Sequence, residues 1–209
     1  DAGRQLQLIE NYLTMGAALI ITNMLDVAAS MELCERTEAE GCYFVVMGAK
    51  PEGYVSSAIY VDQEVYGTLH AELFLHWVDQ QYPDAGPGEV KVCYLGNIRN
   101  ADPAMRTAAV EARLAQDERI NIVFSHDTLS LEGAYSLVEN AFQADPDIRG
   151  IITFNVSQAM GANNYIVSLP GINYEEYGIF CNNTDDAVTA LIEASAANDG
   201  TSVLRGTII

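Results

Sequence analysis

The stretch Ile151-Ile152-Thr153-Phe154-Asn155-Val156-Ser157-Gln158-Ala159-Met160-Gly161-Ala162 decides the fold class. Its first four residues are a short, unbroken apolar run rich in β-branched and aromatic side chains. A strand covered on both faces reads this way, because each face packs under helices. Asn155 interrupts the run, and the small residues that follow suit a helix. The same alternation extends outward in both directions. Further apolar runs occupy residues 18–23, 43–47, 57–61, 90–95, 120–124 and 177–181. Helical stripes lie between them, with apolar side chains at three- and four-residue steps. Leu6, Ile9, Leu13 and Ala17 form one, and Leu69, Leu73, Trp77 and Val78 a second. Leu131, Tyr135, Val138 and Phe142 form a third, and Val188, Leu191, Ile192 and Ala196 a fourth. Strand and helix in alternation predict right-handed crossovers and parallel sheets. The breaks at residues 82–88, 144–147 and 198–200 carry the Pro, Gly, Asn and Asp that end such elements.

Composition narrows the functional classes. The chain has 209 residues, 49% hydrophobic and 19% charged, enough for one or two folded domains. Ten basic against 29 acidic residues give a formal charge of -19. That balance opposes nucleic-acid binding and charge-driven docking on anionic lipid. Cys34, Cys42, Cys93 and Cys181 lack the C-x-x-C spacing of a zinc site and suggest no disulfide framework. No apolar run approaches 18 residues. The chain starts at Asp1 on a helical pattern and closes on the strand-like Gly206-Thr207-Ile208-Ile209. The expectation is that part of the protein lies outside both ends.

Catalytic patterns are missing. His70, His76 and His126 form no H-E-x-x-H, and there is no G-x-S-x-G, phosphate-binding glycine loop or G-x-G-x-x-G after a strand. Asp185-Asp186 reads as the start of a helix, where carboxylates suit the positive end of the dipole. Glu175-Glu176 reads as a solvated turn. The chain is therefore expected not to be an enzyme, and no cofactor is implied.

Two segments could hold a ligand. Asp102 and Arg106 stand four apart where the helix expected over residues 104–116 begins, beyond a strand end. Ligands of open parallel sheets bind there. Paired guanidinium donors and paired carboxylate acceptors suit adjacent hydroxyls. The alternative is an N-cap Asp paired with a first-turn Arg. Asn155 can reach a ligand through its oxygen and its nitrogen, or it can cap the next helix.

These residues carry a resemblance. Asp102-x-x-x-Arg106, Asn155 with Ala159-Met160-Gly161-Ala162, and Asn182 after the strand holding Phe180 stand in an order and spacing similar to the type I periplasmic sugar-binding proteins, such as the ribose and glucose/galactose binding proteins. Val61-Asp62-Gln63-Glu64-Val65-Tyr66-Gly67 also resembles that family's Asp-Asn-x-x-x-Gly element at a helix start. The resemblance implies a periplasmic-binding-protein-like type I α/β fold, with open parallel sheets flanked by helices. It implies two lobes, the N-terminal one only partly present over residues 1–61, and a C-terminal lobe over residues 62–209. It implies a solute-binding protein that closes on a carbohydrate or related polyol through Asp102, Arg106, Asn155 and Asn182. The partners implied are a sugar and the membrane permease of an ABC-type transporter, with no nucleic acid. The protein would be a monomer, periplasmic or extracellular, or lipid-anchored to the membrane. The same architecture serves effector domains of LacI-type regulators and extracellular sensor domains, so those remain alternatives.

The sequence departs from the family at several points. Gly48-Ala49 stands where a charged pair is common, Asn155-Val156 replaces Asn-Asp, and Asn182 replaces an acid. Leu129 and Leu131 stand where a ring would stack on the sugar. Losing two carboxylates and a stacking ring changes the expected ligand.

Overall fold

A computed structural model describes residues 1–48, 58–99 and 101–209, with the side chains of 27–31, 101 and 102 excepted. The chain forms two compact units, Asp1–Asp62 and Gln63–Ile209.

The first unit runs α1 (Ala2–Thr14), β1 (Leu19–Asn23), α2 (Val27–Ala39), β2 (Tyr43–Met47) and β3 (Ala58–Ile59). Its three strands are parallel, in the order β1-β2-β3. Ile20, Phe44 and Val46 turn to one face and pack with Ile9 of α1 and Leu33 and Cys34 of α2. Helix α2 was not legible as an apolar stripe. Of its described side chains, Leu33, Cys34 and Thr37 are buried, while Glu32, Glu35 and Glu38 are exposed. The expectation that the runs at 18–23 and 43–47 are covered on both faces is corrected here. Leu19, Ile21, Tyr43, Met47 and Ile59 lie on the opposite face and are between 43% and 75% exposed. The buried cluster of this unit draws its helical members, from α1 and α2, onto one side only.

The second unit runs α3 (Gln63–Gln81), β4 (Val90–Gly96), α4 (Ala101–Leu114), β5 (Ile120–Asp127), α5 (Leu131–Ala144), β6 (Ile148–Thr153), α6 (Val156–Ser168), β7 (Gly178–Asn182), α7 (Asp186–Ala196) and β8 (Leu204–Ile208). A short 3₁₀ turn, Tyr174–Glu176, precedes β7, and Asp185 caps α7 through Val188 N–H as its sequence predicts. The five strands are all parallel, in the order β5-β4-β6-β7-β8. Alternate side chains feed two cores. Val92, Tyr94, Ile152 and Phe180 pack with Phe74, Trp77 and Val78 of α3 and Val110 and Leu114 of α4. Cys93, Leu95, Ile151 and Ile179 pack on the other face with Val138 of α5, Ile166 of α6 and Val188 of α7. The continuous burial of β4, β6 and β7 is thus the two-sided cover expected of their apolar runs. All four cysteines are buried and free.

Two glycines set helix spacing. A Cβ on Gly67 would come within 2.5 Å of the Arg106 carbonyl and 2.8 Å of Ala109 Cβ, so α3 and α4 pack with backbones nearly touching. A Cβ on Gly161 would strike the Leu131 carbonyl and sit 2.9 Å from Ala134 Cβ, which brings α6 equally close to α5.

Candidate functional site

The strand order contains a switch point. From β4 the chain moves to β5 on one side, then crosses back to β6 on the other. The segments after β4 and β6 therefore leave the sheet toward opposite faces, α4 beside α3 and α6 beside α5, and the carboxyl edge at such a point is where open α/β sheets bind ligands.

Arg106 sits one turn into α4, the helix that follows β4, and is half-buried. Its guanidinium lies 4.5 Å from the centre of the Tyr66 ring and 4.9 Å from that of Phe154. Its Nε donates to Gln63 Oε1 at 2.8 Å. A cation within reach of two rings gains from both quadrupoles and loses conformational freedom before any ligand arrives. The close approach at Gly67 is what puts α3, with Gln63 and Tyr66, against Arg106. Asp102 belongs to the first turns of α4, but its side chain lies outside the described residues.

Asn155 follows Phe154 and caps α6. Its Oδ1 accepts from Gln158 N–H at 2.8 Å, and Gln158 Oε1 accepts from Asn155 N–H at 3.1 Å, a reciprocal capping box. Of the two roles the sequence leaves open for Asn155, this bond shows the cap, while the second lone pair of Oδ1 and the side-chain nitrogen remain able to meet a guest.

Asn182 ends β7, 1% exposed, and its Oδ1 has no hydrogen-bond partner. A buried amide oxygen without a partner costs free energy that a donor from a water or a ligand would return. Asn183 adopts φ of 65°, and its N–H donates to Ile208 O at 2.9 Å. The Tyr66 hydroxyl donates to the same carbonyl at 2.9 Å. Burial raises the Tyr66 hydroxyl above its ordinary pKa, with the Arg106 charge working the other way.

Several residues with a part in this edge escaped the sequence reading. Gln158, fully buried, donates from Nε2 to Gly96 O at 3.2 Å and to Thr128 O, and its Oε1 also accepts from Phe154 N–H at 2.6 Å. One amide thus fastens the ends of β4, β5 and β6. The Asn-x-x-Gln spacing was its legible signal. Asn97 is locked by Thr107, which accepts from its N–H at 3.1 Å and donates to its carbonyl at 3.2 Å. Arg99 Nε meets Asp127 Oδ2 at 3.0 Å beyond β4 and β5. Leu129, 39% exposed, follows β5. Among the described residues, no group of three or more His, Cys, Asp or Glu side chains could hold a metal ion.

The sequence matches the periplasmic binding protein domain over residues 1–202. The chain belongs to that family. Solved structures with the same fold include an ABC transporter periplasmic solute-binding protein from Actinobacillus succinogenes with bound D-allose, 19% identical, with a TM-score of 0.77. The alignment covers 93% of this chain and 68% of that one. A solute-binding protein from Bacillus halodurans with bound myo-inositol is 16% identical, with a TM-score of 0.75 over 93% and 66% of the two chains. The Caulobacter myo-inositol binding protein is 18% identical, with a TM-score of 0.70 over 93% and 65%. The chain thus spans about two thirds of the length of these members of the type I fold. No curated protein matches the sequence. Arg106 in the first turns of α4, Asn155 at the cap of α6 and Asn182 at the end of β7 follow or end strands at the carboxyl edge of the second unit's sheet.

Proposed function

We propose that this chain is the ligand-holding part of a non-catalytic solute-binding protein for a carbohydrate or related polyol. Residues 1–61 are read as part of an N-terminal lobe and residues 62–209 as nearly all of a C-terminal lobe. The observation that carries the reading is Arg106, held by two rings and an amide at the switch point, with Asn155 and Asn182 on neighbouring strand ends. Fixed donors and neutral amides suit a guest rich in hydroxyls, which both donate and accept. Asp102 is assigned to the same site by its four-residue spacing from Arg106. Solved relatives with bound D-allose and myo-inositol support the ligand class. The partner is the permease of an ABC-type transporter. The protein acts outside the cytoplasmic membrane, as a monomer, free or lipid-anchored.

Isothermal titration with a panel of aldoses and inositols tests this. Binding is expected, with Arg106→Ala weakening it by about tenfold or more, the scale of one lost charge-assisted hydrogen bond. Asn155→Asp keeps the capping acceptor and removes the amide donor, so it should weaken binding while the melting temperature holds. Absence of heat from every panel member, or full affinity in both variants, sinks the reading.

A further inference from the structure

The second unit places one side chain in contact with two parts of the proposed site. Tyr66 rises from the first turn of α3. Its ring lies under the Arg106 guanidinium at 4.5 Å. Its hydroxyl donates to Ile208 O at 2.9 Å. That carbonyl, on β8, also accepts from Asn183 N–H at 2.9 Å, and Ile208 pairs directly with Asn182 in the sheet register. Thr207 closes the same turn by donating to Asn183 O at 2.6 Å. From α4 to the end of β7, the path is therefore Arg106, Tyr66, Ile208, Asn183 and Asn182, each step a contact or a chain bond.

We infer that Tyr66 is a positioning residue that fixes the distance between Arg106 and Asn182, its ring setting the first and its hydroxyl the second. This rests on the carbohydrate reading above. The two ends reach Tyr66 by different physics. The guanidinium is held by a ring face, which any aromatic side chain supplies. The β8 carbonyl is held by a hydroxyl, which phenylalanine lacks. Phe154 and the Gln63 amide also hold Arg106, so loss of the Tyr66 ring removes one of several contacts that fix the guanidinium. A residue that places the ligand's neighbours without touching the ligand is expected to act on affinity through geometry, and geometry can be read separately.

The full chain and its Tyr66→Phe and Tyr66→Leu variants provide the test, with two readouts. The first is the NMR position of the Arg106 Nε–H, which ring currents displace, together with the Asn183 backbone amide. Tyr66→Phe should leave the Arg106 signal in place and shift Asn183, whereas Tyr66→Leu should move both. The second is titration with D-allose and with myo-inositol. Tyr66→Phe is expected to weaken binding about tenfold, the size of one net hydrogen bond, and Tyr66→Leu about 100-fold. An Arg106 signal unmoved by Tyr66→Leu, or an Asn183 amide unmoved by Tyr66→Phe, overturns the positioning role. If neither polyol gives heat with the wild-type chain, the carbohydrate reading is what fails for those ligands, and the NMR comparison still decides Tyr66.

Discussion

The two sheets are built from the same kind of apolar run and end up in different surroundings. In the second unit, β4, β6 and β7 are buried along nearly their whole length between two helical layers. In the first, β1 and β2 bury alternate residues only, and Leu19, Ile21, Tyr43, Met47 and Ile59 remain open on one face. An apolar strand therefore reports that a face is suited to burial, not that a cover is at hand. Residues 19–23 and 43–47 would serve a two-sided sheet equally well, and what differs is the number of helices packed around them.

The largest effect should come from cutting into the doubly covered core. Phe180 is 2% exposed and meets the rings of Phe74 and Trp77 at centroid distances of 5.5 and 5.8 Å. Phe180→Ala should cost about 3–5 kcal/mol, the range for emptying a buried aromatic site. Urea unfolding followed by residue-level hydrogen exchange should show that loss in Gln63–Ile209 and leave Asp1–Asp62 at its original protection. A loss under about 1 kcal/mol, or one shared by both units, breaks the comparison.

Acid should separate the units next. All three histidines lie in the second unit. His70 is fully buried, and the Phe180 backbone is a polar group beside its ring. Burial lowers its pKa to about 3, the Arg106 charge adds to this, and the Phe180 backbone opposes it. The unfolded chain takes up a proton near the ordinary value of 6.5 while the folded chain stays neutral. The unfolded state thus binds more protons between pH 6.5 and about 3. Through this group, stability is constant above that window and falls with pH inside it, by up to about 1.4 kcal/mol per unit. His70→Leu should flatten that part of the profile relative to wild type, and identical slopes would remove the histidine from the account.

The smallest effect sharpens the other side of the contrast. Tyr43→Thr and Ile59→Thr change side chains that are 75% and 63% exposed. Each should shift stability by no more than about 0.5 kcal/mol while reducing binding of an apolar dye such as ANS. A loss comparable with that of Phe180→Ala would mean that this face is covered in solution.

How much of this was written in the residues depends on the kind of interaction. Period and punctuation revealed the strands, because burial on the sheet acts on every residue of a run. Helix α2 escaped, since few of its described side chains point inward. At the site, the four-residue spacing of Asp102 and Arg106 and the asparagines after β6 and β7 were visible as local patterns. The clamp of Gln63, Tyr66 and Phe154 on Arg106 was not, because these side chains stand 43, 40 and 48 residues from Arg106 and only the packing of α3 on α4 and the sheet order bring them together. Asn155 shows the reverse case: its capping role was fully local, and the local reading identified the bond that takes its oxygen.

Gln158 has a mechanical consequence. With both sides of its amide committed to backbone groups at the ends of β4, β5 and β6, the rim of the sheet cannot fray one strand at a time. The amide hydrogen of Asn155 should therefore exchange with solvent only when Gln158 lets go, whereas that of Phe154, which also donates to Leu95 O at 2.9 Å, stays held by β4.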